Sequence, residues 1–190
     1  IMKFLDMLQY VLPSAAGCPD SLAVQHLVRA ARRFCSETLA WNYQTEPISS
    51  TAGLAKYTLQ IGRGQELVRL IACEVNGANY LVPSGAWGRS LQRRGAGNTC
   101  VVDVNQDINL TPSPYVDGMQ IVTDIAVRPA IVDPADWPDD LSEHVNDIAD
   151  GALATLLILP KTTWFESGAA GEKEQRFKSR ISTVGMKVSK

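Results

Sequence analysis

The hydrophobic period of this chain changes twice, and that double change restricts its fold more than any single motif does. In "CPDSLAVQHLVRAARRFCSETLAW" the residues Val24, Leu27, Val28, Ala31, Phe34, Cys35, Thr38 and Trp41 recur three and four apart, the spacing of one helical face. Asp20 or Ser21 stands where a side chain caps the first amides of such a helix. Further on the period drops to two: Tyr57, Leu59 and Ile61 alternate with Lys56, Thr58 and Gln60, as the two faces of a strand require. Short runs of the same kind follow in "ELVRLIACEV", "ANYLVP", "TCVVDV", "DINL" and "MQIVTDIAV", the last with Met119, Ile121, Ile125 and Val127 on one face. Asn76-Gly77 is the strongest hairpin signal, because both residues tolerate the positive φ of a type I′ turn. After Pro138 the helical period returns. Leu141, Val145, Ile148, Ala152, Leu156 and Leu159 share a face, Pro160 stops that helix, and Ala170, Lys173, Phe177, Ile181 and Val184 mark a last one, expected to fray into the polar tail "GMKVSK".

The order is therefore helix, sheet, helix, helix, and neither the first helix nor the last two can bury an apolar face alone. The fold class this predicts is α+β: a helical bundle built from residues 1–46 and 135–190, with an antiparallel β-sandwich or barrel-like domain inserted as residues 47–134. A chain of 190 residues, 45% hydrophobic and 20% charged, has enough apolar material for one good core or for a core and a satellite. Cys18, Cys35, Cys73 and Cys100 stand singly, in neither a zinc spacing nor a disulfide framework, and read as buried thiols of a reducing compartment. No apolar run approaches the ~20 residues of a membrane span, and no small-residue cleavage site follows the N-terminus. Neither a spanning segment nor a signal peptide is expected, and no membrane partner.

Side chains with catalytic chemistry are sparse. His26 and His144 each lie in a helical pattern without a second ligand or base at helical spacing. No nucleophile elbow, zinc-protease motif, phosphate loop or dinucleotide fingerprint occurs, and "IGRGQEL" lacks the lysine and helix of a phosphate loop. Asp103 with Asp107, or Asp139 with Asp140, can be written as acid pairs, but a turn and a helix start account for them more simply. The reading assigns no catalytic residue, no metal ligands and no cofactor. Arg29, Arg32 and Arg33 lie off the apolar stripe of the first helix and read as a solvated face.

The net charge of −2 gives no overall attraction to nucleic acid or anionic lipid, so any electrostatic role depends on local asymmetry. The loop "PSGAWGRSLQRRGAGNT" carries Arg89, Arg93 and Arg94 beside Trp87, with no acid between Glu74 and Asp103; it reads either as a solvated loop or as a contact for nucleic acid or an acidic neighbouring subunit. Residues 133–150 hold Asp133, Asp136, Asp139, Asp140, Glu143, Asp147 and Asp150 without a cation, whereas residues 171–190 hold Lys173, Arg176, Lys178, Arg180, Lys187 and Lys190 against Glu172 and Glu174. Acidic and basic patches on different faces favour head-to-tail association of copies, with Arg89, Arg93, Arg94, Asp139, Asp140 and Glu143 as subunit or channel contacts.

Taken in order, "LPSAAGCP", "AARRFCSETLAW", "DINLTPSPYVDGMQIVTDIAVRP" and "DGALATLLILPKTTWFESGAAGEKEQRFKSRI" resemble the head-to-tail adaptor proteins of tailed bacteriophages, of the tail tubular protein A type. The likeness runs over nearly the whole chain, apart from the basic loop around Trp87. It implies a non-enzymatic virion protein at the neck: a homo-oligomeric ring, usually twelvefold, that docks beneath the portal protein, meets a tail tube or nozzle protein, and extends the channel through which DNA passes without sequence-specific binding. It also implies a C-terminal segment that grips the portal, here Arg180, Lys187 and Lys190. Another neck or tail-completion protein, or a tail-associated cell-wall hydrolase, are the alternative readings.

Overall fold

In the computed structural model the fold is mixed α and β, with antiparallel sheets. The structure describes residues 3–83 and 97–188, with side chains through Gly185. They form two compact units, one drawn from Ile1–Trp41, Gly62–Glu66 and Val127–Lys190, the other from Asn42–Ile61 and Leu67–Ala126. These bounds differ from a division at 47 and 134, because the roots of two long strands belong to the first unit.

In the first unit a 3-10 helix over Phe4–Tyr10 precedes α1, Asp20–Thr38. The capping expected from Asp20 or Ser21 does not occur: Pro19 holds the N-cap position, with no side-chain cap, and its carbonyl accepts the amides of Leu22 and Ala23 at 3.0 Å. Asp20 sits inside the first turn, where its charge complements the positive end of the helix. The other end closes on Leu39, at φ +56°, whose N–H donates to the Cys35 carbonyl. A second 3-10 helix, Asp139–His144, leads into α2, Val145–Leu156, and α3 spans Ser167–Val188. The helices α1, α2 and α3 pack on one another, and α1 also packs on the first 3-10 helix. That many neighbours widens the buried arc of α1 beyond a single stripe: Ala23, His26 and Ala30 are buried with Leu27, Ala31 and Phe34, whereas Val24 is half-buried.

The centre of this core is aromatic. Phe34 and Phe177 are buried with ring centroids 6.2 Å apart, and Phe34 lies 4.8 Å from the His144 ring. Gly151 on α2 makes room for Phe177, since a Cβ there would stand 2.8 Å from the ring. The expected solvated face of α1 is corrected in part. Arg33 stacks 5.3 Å over the Phe177 ring and pairs with Glu37 and Glu174, while Arg32 is largely covered and donates to the Pro129 carbonyl at 2.6 Å and to Glu66 at 2.8 Å. Arg128 also reaches Glu66, at 3.1 Å. The hydrogen bond from Arg32, and then the Arg128 charge, hold the Glu66 carboxyl below the usual range. This Arg-Glu-Arg cluster fastens the strand roots to α1.

The second unit carries most of two sheets. In the first, the order is β1 (Asn42–Gln44), β8 (Gln120–Pro129), β4 (Gln65–Val75), β5 (Ala78–Tyr80), with β2 (Ile48–Ser49) also on β8. The second sheet has the order β3 (Lys56–Thr58), β7 (Asp107–Thr111), β6 (Thr99–Val102). The β4–β5 hairpin turns at Asn76-Gly77, with φ +49° and +83°, and sets Cys73 opposite Tyr80 and Val75 opposite Ala78. A parallel bridge, Leu81 to Thr99, ties the sheets together through N–H···O bonds of 2.7 and 2.9 Å. On β8 Ile121, Thr123, Ile125 and Val127 are buried on one face, as the alternation predicts for 121, 125 and 127, while Met119 lies before the strand. Thr123 escapes the cost of polar burial by bonding Thr45 at 2.7 Å. All four cysteines are free and buried, and burial pushes the Cys35 thiol up to about 12.

Candidate functional site

The charged residues singled out from the sequence divide into those that the fold pairs and those that it leaves exposed. Arg180 belongs to the first group: its Nε donates to Asp147 at 2.9 Å, and the same carboxylate oxygen lies 3.3 Å from His144 Nδ1. Lys173 meets Asp150 at 2.6 Å, Lys178 meets Glu174 at 3.1 Å, and Arg176 pairs with Glu172. The acidic run and the basic run are thus not two faces turned away from each other. Their inner members zip α2 to α3, because adjacent helices in one unit bring them within reach. The expectation that they form separate complementary patches is corrected to that extent.

The expected fraying also does not occur. α3 continues beyond Arg180 to Val188, Ile181 and Val184 are buried, and a Cβ on Gly185 would stand 3.5 Å from the Glu37 carbonyl. Apolar residues at 177, 181 and 184 keep the helical stripe running, and α1 covers it. Lys187 lies within this helix with its side chain outside the described residues, and Lys190 lies outside them altogether, as do Trp87, Arg89, Arg93 and Arg94.

Asp139, Asp140 and Glu143 remain exposed on the second 3-10 helix, with Asp136 just before it, and none has a cationic partner among the described residues. Asp133 differs, pairing with Arg63 at 2.8 Å. The other acid pair is a clamp: Lys56 Nζ lies 2.8 Å from Asp103 and 3.0 Å from Asp107. The Lys56 hydrogen bond, aided by the amides of Asn105 and Asp107, holds the Asp103 carboxyl low; the Thr58 hydroxyl and then Lys56 do the same for Asp107. Carboxylates held ionised in this way are poorly suited to donate a proton. His26 is buried, its Nδ1 is hydrogen-bonded to the Thr155 hydroxyl at 2.7 Å, and that hydroxyl also lies 2.9 Å from the Ala152 carbonyl. Among the described residues no group of three or more His, Cys, Asp or Glu side chains is placed to hold a metal ion, and no helix is long and apolar enough to cross a membrane.

Two apolar surfaces escaped the sequence reading. In the second unit Leu54, Tyr115 and Val116 are exposed, Tyr115 by 83%. The loops that carry them are tightly bonded: Ala52 N–H donates to Asp117 at 2.7 Å, Gly53 N–H to the Pro114 carbonyl at 2.8 Å, and the Ser50 hydroxyl to the Val116 carbonyl at 2.7 Å. In the first unit the Gly64 carbonyl accepts the amides of both Ala130 and Ala135, at 2.8 and 2.9 Å, closing a loop that holds Ile131 and Val132 out at the surface. Beside it lies a cavity of about 310 Å³, lined by Val24, Val28, Ile131 and Pro134, with Gln25 and Arg29 supplying its polar edge. The available signal was local: "PYVD" and "AIVD" each set a large apolar pair among turn-forming residues, where no strand or helix pattern hides it.

Compared with known proteins, the chain matches no protein-family model and no characterised protein closely enough to identify a relative.

Proposed function

We propose that this chain is a non-enzymatic structural component of a virion, a ring adaptor between a portal protein and a tail tube or nozzle protein at the head–tail junction. The observation that carries this reading is the arrangement of the chain. Its first helix and its last two pack on one another, and the residues between them form most of a separate antiparallel unit. The resemblance implies a helical bundle with an inserted β domain, and the hydrophobic pattern assigns that bundle to both ends of the chain and a β-sandwich or barrel-like form to the insert. The exposed acids Asp139, Asp140 and Glu143 and the two apolar surfaces supply contacts toward neighbours in such a ring, and the end of α3 with Lys187 supplies the portal contact. Arg180, held by Asp147, positions that helix. Copies joined in a ring bind their neighbours multivalently, so that weak contacts per subunit suffice. DNA crosses the lumen without being read, and no cofactor takes part. Asp103 and Asp107 are both engaged by Lys56, a structural clamp rather than the free acid-base pair a cell-wall hydrolase needs.

Electron microscopy of the protein mixed with purified portal tests the reading. Closed rings stacked on one portal face, twelvefold if the resemblance holds in full, are the expected result. Portal particles left bare at saturating protein would sink it.

A further inference from the structure

The two apolar surfaces carry opposite charges at their edges, an acid at one and a base at the other. One is led by the exposed ring of Tyr115, and the other is a cavity of about 310 Å³ with aliphatic walls, large enough for a phenol ring. Beside Tyr115, Asp117 is exposed, with no cationic partner among the described residues; at the cavity edge Arg29 is exposed, with no anionic one. Both surfaces are preorganised, one by bonds from Ser50, Ala52 and Gly53, the other by the double acceptance at Gly64. Rigid loops lose little freedom on docking, and a tyrosine entering an apolar pocket is the usual form of an interface anchor.

We propose that these surfaces dock on each other between copies: the Tyr115 tip of one chain seats in the Ile131 cavity of the next, with Asp117 against Arg29. The partner is a second copy of this chain because exposed ring and apolar cavity, acid and base, are both carried by one sequence. A contact between unlike surfaces leaves a free tip and a free cavity on any open oligomer, so it propagates head to tail until the rotation closes a ring. The inference rests on the self-association proposed above and names the surfaces that mediate it.

The test is disulfide trapping with two single variants, Val116→Cys and Val132→Cys, exposed positions next to the anchor and the cavity that leave Tyr115 and Ile131 in place, on a chain whose own cysteines are buried. Mixed at high concentration under mild oxidation, they are expected to give the mixed dimer roughly tenfold faster than either variant couples to itself, as befits an anchor residue. Adding Arg29→Glu to the cavity variant is expected to lower that yield, and Asp117→Asn, which keeps the acceptor for Ala52, is expected to have no further effect in that background. Equal coupling rates for all three pairings overturn the proposal, as does a preference for the Val116→Cys homodimer. Rings on the portal together with equal rates would leave the adaptor reading standing and remove this contact; preferential trapping without rings would do the reverse.

Discussion

Gly64 shows how one residue decides a surface. Its φ of +72° is costly for any side chain, and a Cβ would lie 2.4 Å from the Ala135 amide nitrogen, which is backbone and cannot swing away. Gly64→Ala is therefore expected to cost about 2–3 kcal/mol, read as a lowered denaturant midpoint, and to loosen the loop of Ile131 and Val132. An unchanged midpoint would mean that this loop is not held as described. His26 decides a pH response. Burial, and then the Arg29 charge, lower its pKa, so the unfolded chain binds the proton more readily. Its contribution is complete above its ordinary pKa of about 6.5 and is lost as pH falls from there toward the lowered folded value. Urea denaturation of the wild type and of His26→Gln is expected to show a smaller loss of stability in the variant between pH 7 and pH 5. Parallel pH curves would exclude this role for the ring.

Among the elements, α3 carries two separable roles. Its inner face holds Phe177, Ile181 and Val184 against the other helices, while its charged flank pairs with α2 through Lys173 and Arg180. Removal of residues 182–190 takes Val184 from that face, and full burial of such a side chain stabilises by ~1.5–3 kcal/mol. The truncated chain is expected to stay folded with a stability lower by about that much, and to lose portal attachment. Binding at full strength by the truncated chain would move the docking element elsewhere, first to the exposed acids of the 3-10 helix. The α1 counterpart is Phe34, fully buried between Phe177 and His144, and Phe34→Ala is expected to cost about 3–5 kcal/mol, measured by denaturant unfolding.

For the molecule as a whole, much of the helical charge is satisfied internally, and the exposed features include a group of acids and two small apolar surfaces. Contacts of that size bind weakly one at a time, and a template that lines up many copies strengthens them. The free chain is accordingly expected to sediment as a monomer of 20.7 kDa at low concentration and to form rings when portal is present. A stable ring of the pure protein at low concentration would contradict that dependence on a template.

Both changes of hydrophobic period, the Asn76-Gly77 hairpin and the burial of all four cysteines could be read from the chain, because each rests on backbone geometry or side-chain polarity within a few residues. The strands β1 and β2 could not: at three and two residues they are too short to show a period and exist through their pairing with β8. Nor could the fate of the charges. Asp147 and Arg180, or Asp150 and Lys173, lie far apart in the chain and meet only because α2 and α3 pack side by side, so a gradient along the sequence became a zip within the fold. The exposure of Tyr115 and Ile131 was settled in the same way. An apolar side chain goes to the surface when the bonds that shape its loop leave it no core to enter, and those bonds, from Ser50 and to Gly64, come from residues that only folding brings near.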